Sequence, residues 1–352
     1  MYNLETFYPT ISDWFLSQYS HLDPAVVYQF PYGSEDPKHC VINTVHEYPK
    51  VVLLLYDQEP VWSRSKWLWY WANTLRDWKS TVILISTQEW GTNLDYYVKN
   101  FNWKHVCYQH HLLACRDWYR GYRNHPQLVS PQQRKLYNHF VCYNRLFAEN
   151  RPHRVNLLKD LYDDNILCKV DMSFPATDPI TNSSYADISG RSDIQFILPL
   201  DIDDPNHNNN SFTLDIQSAN ETAIHIITET IFNIKENYLS EKSYKPIALK
   251  QPFIIFGAPY SLKTLQDLGF KTFANFWDES YDNIEDHDLR YSKAYKIVKD
   301  IASMSLNDIQ NILIQSTDIL EYNYNHFYAQ ETLDNIVNNL FLDITKAASY
   351  VN

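Results

Sequence analysis

The stretch "ENYLSEKSYKPI" sets Tyr238, Ser240, Glu241 and Lys242 within five residues, the last three opening a helix predicted over 240–249. Ser240 is a candidate N-cap, and the positive end of a helix draws anions. Lys242 would strengthen that pull on a phosphate. Glu241 would repel phosphate but could accept hydrogen bonds from ribose hydroxyls, so the pair suits the two ends of one nucleotide. Other polar residues close predicted strands. Asp57 and Glu59 end "VVLLLYDQEP", Asn144 and Arg145 end "HFVCYNR", and Glu229, followed by Thr230, ends "AIHIITET". Arg154 opens the helix after Arg145 and is a second cation at a helix start. Each has a plainer reading: Lys242 and Glu241 as a solvated first turn, Arg154 paired with Asp163 or Asp164, Asp57 and Glu59 as turn formers.

The elements that must position these residues follow a β-α rhythm. Residues 25–30, 51–57, 81–87 and 103–109 read as strands, with helices over 61–78 and about 93–101. The second half repeats the pattern, with strands over 139–146, 193–200, 223–230 and 252–257. Helices are predicted over 152–164, 240–249 and 261–270, and a mostly helical tail from about 288. Strands apolar on both faces and alternating with helices imply parallel sheets covered on both sides. The fold expected is α/β, two tandem Rossmann-like doubly wound domains with a helical C-terminal tail. The domains run over 1–130 and 136–330, joined through the polar stretch 125–138, and 331–352 is a terminal helix packing back on the first domain. In such sheets ligands bind outside the carboxyl ends of the strands, where all the residues above fall.

"ETIFNIKENYLSEKSYKPI" resembles the donor-binding motif of the α1,3-fucosyltransferases, family ten of the glycosyltransferases. That motif has a Glu-Asn pair, a short gap, then Tyr-x-Thr-Glu-Lys. Tyr238, Ser240, Glu241 and Lys242 match its later part; Glu229-Thr230 stands for Glu-Asn, with Thr for Asn and a gap about two residues longer. "FVCYNRLFAENRPHRVNLLKDL" is similar to a second family stretch, with Asn144 near the end of a strand and Arg154 opening the next helix. The resemblance covers about 140–280 and implies a GT-B arrangement, inversion at the sugar carbon and no required metal. It implies that Asn144, Arg145, Arg154, Glu229, Thr230, Tyr238, Ser240, Glu241 and Lys242 bind a nucleotide-sugar donor, GDP-linked in the family. The catalytic base would come from the first domain, and "YDQEP" offers Asp57 or Glu59. The two share a face of an extended segment, so one would raise the pKa of the other toward neutrality.

Composition narrows the partners. The 352 residues carry a net charge of -12, which disfavours nucleic acid as the main partner. Only 6 glycines are present and no Gly-rich phosphate loop. Five cysteines without a C-x-x-C point to reduced thiols and a cytoplasmic setting, the host cytoplasm for a viral protein. No apolar run reaches membrane-spanning length, and no signal peptide opens the chain. "WKHVCYQHHLLACRDW" holds His105, Cys107, His110, His111 and Cys115 without paired metal-ligand spacing. The Asp-x-Asp of Asp201 and Asp203, a manganese signature in other transferases, sits in an Asn-rich loop, and no metal or cofactor is expected beyond the donor co-substrate. The acceptor is a glycan or another hydroxyl-bearing molecule. Two other functions fit the same residues: a phage-type transferase that decorates nucleic-acid bases, or a sugar-nucleotide or glycan-binding protein without catalysis.

Overall fold

The structure, a computed structural model, describes residues 4–29, 36, 40–44, 47–56, 60–61, 65–148, 151–200 and 210–349, with backbone alone for 4–6. The chain divides into two compact units. The first comprises Met1–Asp117, Glu236–Tyr238 and Gln330–Asn352; the second comprises Trp118–Lys235 and Leu239–Ala329. Both are α/β, and parallel pairing dominates both sheets.

In the first unit the strands are β1 (Pro24–Gln29), β2 (Cys40–Asn43), β3 (Val51–Leu55), β4 (Thr81–Ser86) and β5 (Lys104–Cys107), in the order β2-β1-β3-β4-β5. Only β2 runs antiparallel, on the edge beside β1. β3 is buried at every position because alternate residues feed two cores. Leu53 and Leu55, with Val26, Ile83 and Ile85, face Phe7, Ile11 and Phe15 of the helix Leu4–Gln18 and Val337, Leu340 and Ile344 of the helix Gln330–Ala348. Val52 and Leu54, with Val27, Val82 and Leu84, face Trp67 and Trp71 of the helix Lys66–Asp77 and Leu94 and Tyr97 of the helix Thr92–Phe101. Full burial of each such side chain contributes about 1.5–3 kcal/mol. The predicted helix over 61–78 starts at Lys66, where the Ser65 hydroxyl accepts the Leu68 N–H at 3.2 Å.

The second unit has β6 (Asn138–Tyr143), β7 (Val170–Ser173), β8 (Thr222–Thr228) and β9 (Phe253–Phe256), all parallel, in the order β7-β6-β8-β9. β6 passes through the helix Pro152–Asp163 to β7 on one side, and the chain then returns to place β8 on the other. The strand order therefore reverses between β6 and β8, and the helix Glu241–Ala248 connects β8 to β9. Residues 193–200 are not a strand. Ser192–Gln195 is a short helix, Phe196 is 90% exposed, and only Leu200 pairs, in an isolated bridge to Phe174. Arg191, bonded to both Asp193 and Asp163, holds this segment as a turn on the helix Pro152–Asp163. The fourth strand is instead the short Val170–Ser173, half-buried at alternate positions. Among the described residues no helix is long and apolar enough to cross a membrane.

Candidate functional site

The carboxyl ends of β6 and β8 gather most of the predicted site residues of the second unit. Asn144, just past β6, is buried; its side-chain oxygen accepts the Thr228 hydroxyl at 2.7 Å and its backbone N–H donates to Ser173 O at 3.0 Å. It ties the ends of β6, β7 and β8 together. Arg145 is the next residue and is exposed. The loop that carries it is fixed by Asp178, which accepts the N–H groups of Phe147 at 2.8 Å and Ala148 at 3.0 Å. Burial pushes the Asp178 carboxyl up, but backbone donors from Ala148, Phe147, Thr181 and Ile180 hold it down at about 2.

The helix Pro152–Asp163 opens at Arg151 with no side-chain cap, and Pro152 has no N–H to satisfy. Arg154, in its first turn, is 2% exposed. Its guanidinium donates to Leu146 O at 2.6 Å, Thr228 O at 2.8 Å and Glu229 O at 3.1 Å. It does not pair with Asp163 or Asp164; it closes orphan carbonyls at the strand edge, and its Nε has no protein partner. Burial lowers it to about 10, and neighbouring Arg151 adds to this while Glu229 opposes it. His153 donates from Nε2 to Glu229 O at 3.0 Å and stacks on Phe232, ring centroids 4.8 Å apart. Burial first, then Arg154, push its pKa well below the usual imidazole value, so it is neutral here.

Arg290 belongs to the same edge and carried no signal in the sequence reading. Its guanidinium lies 4.6 Å over Phe232 and donates to Phe232 O at 2.5 Å, Gly257 O at 3.0 Å and Ile284 O at 2.7 Å. Arg154, Arg151 and Arg290 thus all stand near His153, in a chain with net charge -12. Arg290 lies 33 positions beyond Gly257, the residue after β9, so no local motif reveals this contact.

Glu229 is fully buried. Its carboxylate accepts the Ser240 N–H at 3.2 Å, the Ser240 hydroxyl at 2.6 Å, the Ser243 hydroxyl at 2.7 Å and the Thr230 N–H at 3.1 Å. The helix Glu241–Ala248 starts there. Ser240 is its cap, accepting the Lys242 N–H at 3.3 Å. Lys242 and Glu241 form an ion pair at 2.8 Å with side chains 25% and 14% exposed, so both reach solvent from a buried base. The helix Ser261–Asp267, after β9, is already occupied at its start: Asp282 accepts the N–H groups of Leu262 at 2.9 Å and Lys263 at 3.0 Å.

Tyr238 lies in the first unit, with its hydroxyl 2.7 Å from His111 Nε2. Two residues earlier, Glu236 accepts the Asn93 N–H at 2.8 Å and the Gln88 amide, at the start of the helix Thr92–Phe101. Burial raises its carboxyl to about 7 against those donors. Gly91 leaves room for it: a Cβ there would fall 1.7 Å from Glu236 Oε2. His110 meets the hydroxyls of Tyr8 and Tyr108, and His105 meets that of Ser86 at 3.0 Å, so these histidines serve local packing. Among the described residues no three His, Cys, Asp or Glu side chains cluster as metal ligands do. Asp57 and Glu59, with Asp201 and Asp203, lie outside the described residues. The fold and the site define an α/β protein with a cation-rich strand edge at a reversal of strand order. No family model matches the chain, and no curated protein matches it either.

Proposed function

We propose that this chain is an inverting glycosyltransferase that needs no metal and takes its sugar from a nucleoside diphosphate, GDP first among the candidates. In this reading the two α/β units form a GT-B enzyme and the second unit holds the donor. The observation that carries it is the start of the helix Pro152–Asp163, without a side-chain cap, at the reversal between β6 and β8, with Arg151 at its N-cap, buried Arg154 in its first turn and exposed Arg145 on the loop after β6. Helix starts at such reversals take anions, and here cations stand where a diphosphate would need them. Exposed Arg145 and half-buried Arg151 would contact phosphate oxygens, with Arg154 adding charge from beneath.

The ion pair of Glu241 and Lys242 would open on binding, the ammonium turning to a phosphate and the carboxylate to ribose hydroxyls. In the reaction an acceptor hydroxyl gives its proton to a carboxylate base, its oxygen bonds to the sugar carbon, and the diphosphate leaves with the bonding pair. Each fixed cation that meets the growing charge is worth about 3–4 kcal/mol of barrier. Asp57 or Glu59 remains the proposed base.

Calorimetry and thermal-shift titration with GDP-, UDP-, CMP- and dTDP-sugars test the reading. A diphosphate nucleotide should bind and raise the melting temperature. Lys242→Ala should weaken it at least about tenfold, or ~1.4 kcal/mol, with the free protein's melting temperature nearly unchanged. Failure of the GDP-, UDP- and dTDP-sugars alike to bind, or parental affinity in Lys242→Ala, overturns it.

A further inference from the structure

The resemblance to a donor motif assigns Glu229 to the ligand, but its surroundings leave no room for one. The carboxylate is fully buried, and four donors from Thr230, Ser240 and Ser243 use the sites its two oxygens offer. The main-chain carbonyl of the same residue takes His153 Nε2 and Arg154 Nη2. One residue therefore joins three elements: the end of β8, the start of the helix Pro152–Asp163 through its backbone, and the start of the helix Glu241–Ala248 through its side chain.

We infer that Glu229 is a positioning residue that sets where Glu241 and Lys242 stand relative to the arginines of the other helix start, and that Ser243 is its partner in doing so. The inference rests on the donor-site reading above. Its physical content is directional. A carboxylate has only acceptors, and every group pointing at this one is a donor, so the helix start has a single satisfied placement. An amide at the same position turns one oxygen into a donor facing either the Ser240 N–H and Ser243 O–H or the Ser240 O–H and Thr230 N–H. The first turn must then shift, and Lys242 with it. Ser243 faces inward, one residue past Lys242, and its hydroxyl donates to the same carboxylate oxygen as the Ser240 N–H.

The test measures GDP affinity by calorimetry, without added metal and well below the melting temperature, for Glu229→Gln, Ser243→Ala, Lys242→Ala and the double variant of Glu229 and Lys242. The expected result is a loss of at least about tenfold for Glu229→Gln and about threefold for Ser243→Ala. The double variant should bind little worse than Lys242→Ala alone, because a misplaced ammonium and a missing one are equivalent. Additive losses would mean that Glu229 acts only on general stability, and would overturn the inference. So would affinity within twofold of the parent in both Glu229→Gln and Ser243→Ala while Lys242→Ala is impaired; that result leaves the donor site standing. Parental affinity in Lys242→Ala removes the donor site and the inference together. Should Glu229→Gln fail to fold, Ser243→Ala decides.

Discussion

Arg154 hydrogen-bonds Glu229 through its backbone carbonyl and not through its carboxylate. The guanidinium donates to the main-chain carbonyl of Glu229 at 3.1 Å, while the Glu229 carboxylate turns away to Ser240 and Ser243. Two ions that a motif reading places on a ligand thus form part of the frame beneath it. In the proposed donor site, ligand contact would fall to their more exposed neighbours: Arg145, Arg151, Glu241 and Lys242.

Arg154→Ala should unfold the second unit easily. It strips the guanidinium from the carbonyls of Leu146 and Thr228, each costing about 1–3 kcal/mol when left buried and unpaired, while the Glu229 carbonyl keeps His153 Nε2. A loss of about 3 kcal/mol or more is expected in urea denaturation. Arg154→Lys should recover part of it, since one ammonium cannot reproduce the fork. An unchanged urea midpoint, with nucleotide binding lost, would mean that the guanidinium serves the ligand directly.

Acid should weaken the second unit well before its carboxylates titrate. Burial holds His225 down at about 3 and His153 well below the usual value. An unfolded histidine takes a proton near 6.5. Their contribution is therefore complete above pH 6.5 and is lost as pH falls from 6.5 toward the folded values, at about 1.4 kcal/mol per pH unit for each. Asp178, held at about 2, adds its own loss only below about pH 4. Urea midpoints at pH 7.5 and 5.5 check this, and a flat profile between them would contradict it.

The Glu236 carboxyl carries the opposite sign. Its folded pKa, about 7, lies above the unfolded value, so its contribution is full at low pH and is lost as pH rises through 7. Asp95 and burial both favour the protonated form. Glu236→Gln should remove this part of the pH dependence from the melting of the first unit. Gly91→Ala should displace the carboxyl and cost about 1–2 kcal/mol, as loss of a helix cap does. In a Glu236→Ala background the same substitution should cost less, with only the flexible Gln88 amide, 2.3 Å from the new Cβ, left to give way; an equal cost in both backgrounds would mean that the glycine serves some other purpose.

On the proposed reading, nucleotide binding should survive EDTA, because Arg145, Arg151 and Lys242 would supply the positive charge a metal would otherwise bring. Loss of GDP affinity on chelation, restored by manganese, would redirect attention to Asp201 and Asp203.

Asp57→Asn and Glu59→Gln, made separately, should leave donor affinity within about twofold, and one of them should lower turnover by ~10² or more. Near-parental turnover in both would exclude "YDQEP" as the source of the base.

The strands most legible in the sequence are those buried on both faces, such as Val51–Leu55, Thr81–Ser86 and Phe253–Phe256. Every position there is apolar or small, and no other element accepts such a run at that length. Apolarity misleads at "QFILPL", because Phe196 and Ile197 lie exposed and Pro199 ends any ladder. The edge strand Cys40–Asn43 was not anticipated, for it is only half-buried and pairs antiparallel. The helix Leu4–Gln18 was hidden by Pro9 within it. At the site, local order revealed Ser240 as a cap and Arg154 at a helix start. Arg290 and Asp178 arrive from far along the chain, and nothing near either residue announces its partner.

The helix Gln330–Ala348 covers strands made long before it. On the ribosome, about 220 residues separate Cys107, the end of β5, from Gln330. At roughly 5–20 residues per second the strand face bearing Leu53, Leu55, Ile83 and Ile85 waits some tens of seconds for Val337, Leu340 and Ile344. The second unit is fully synthesised within that interval and can finish first. The nascent first unit meanwhile has only the helix Leu4–Gln18 over that apolar face, which makes it the part of the newborn chain that holdase chaperones would grip and the part that a premature stop would leave unfinished.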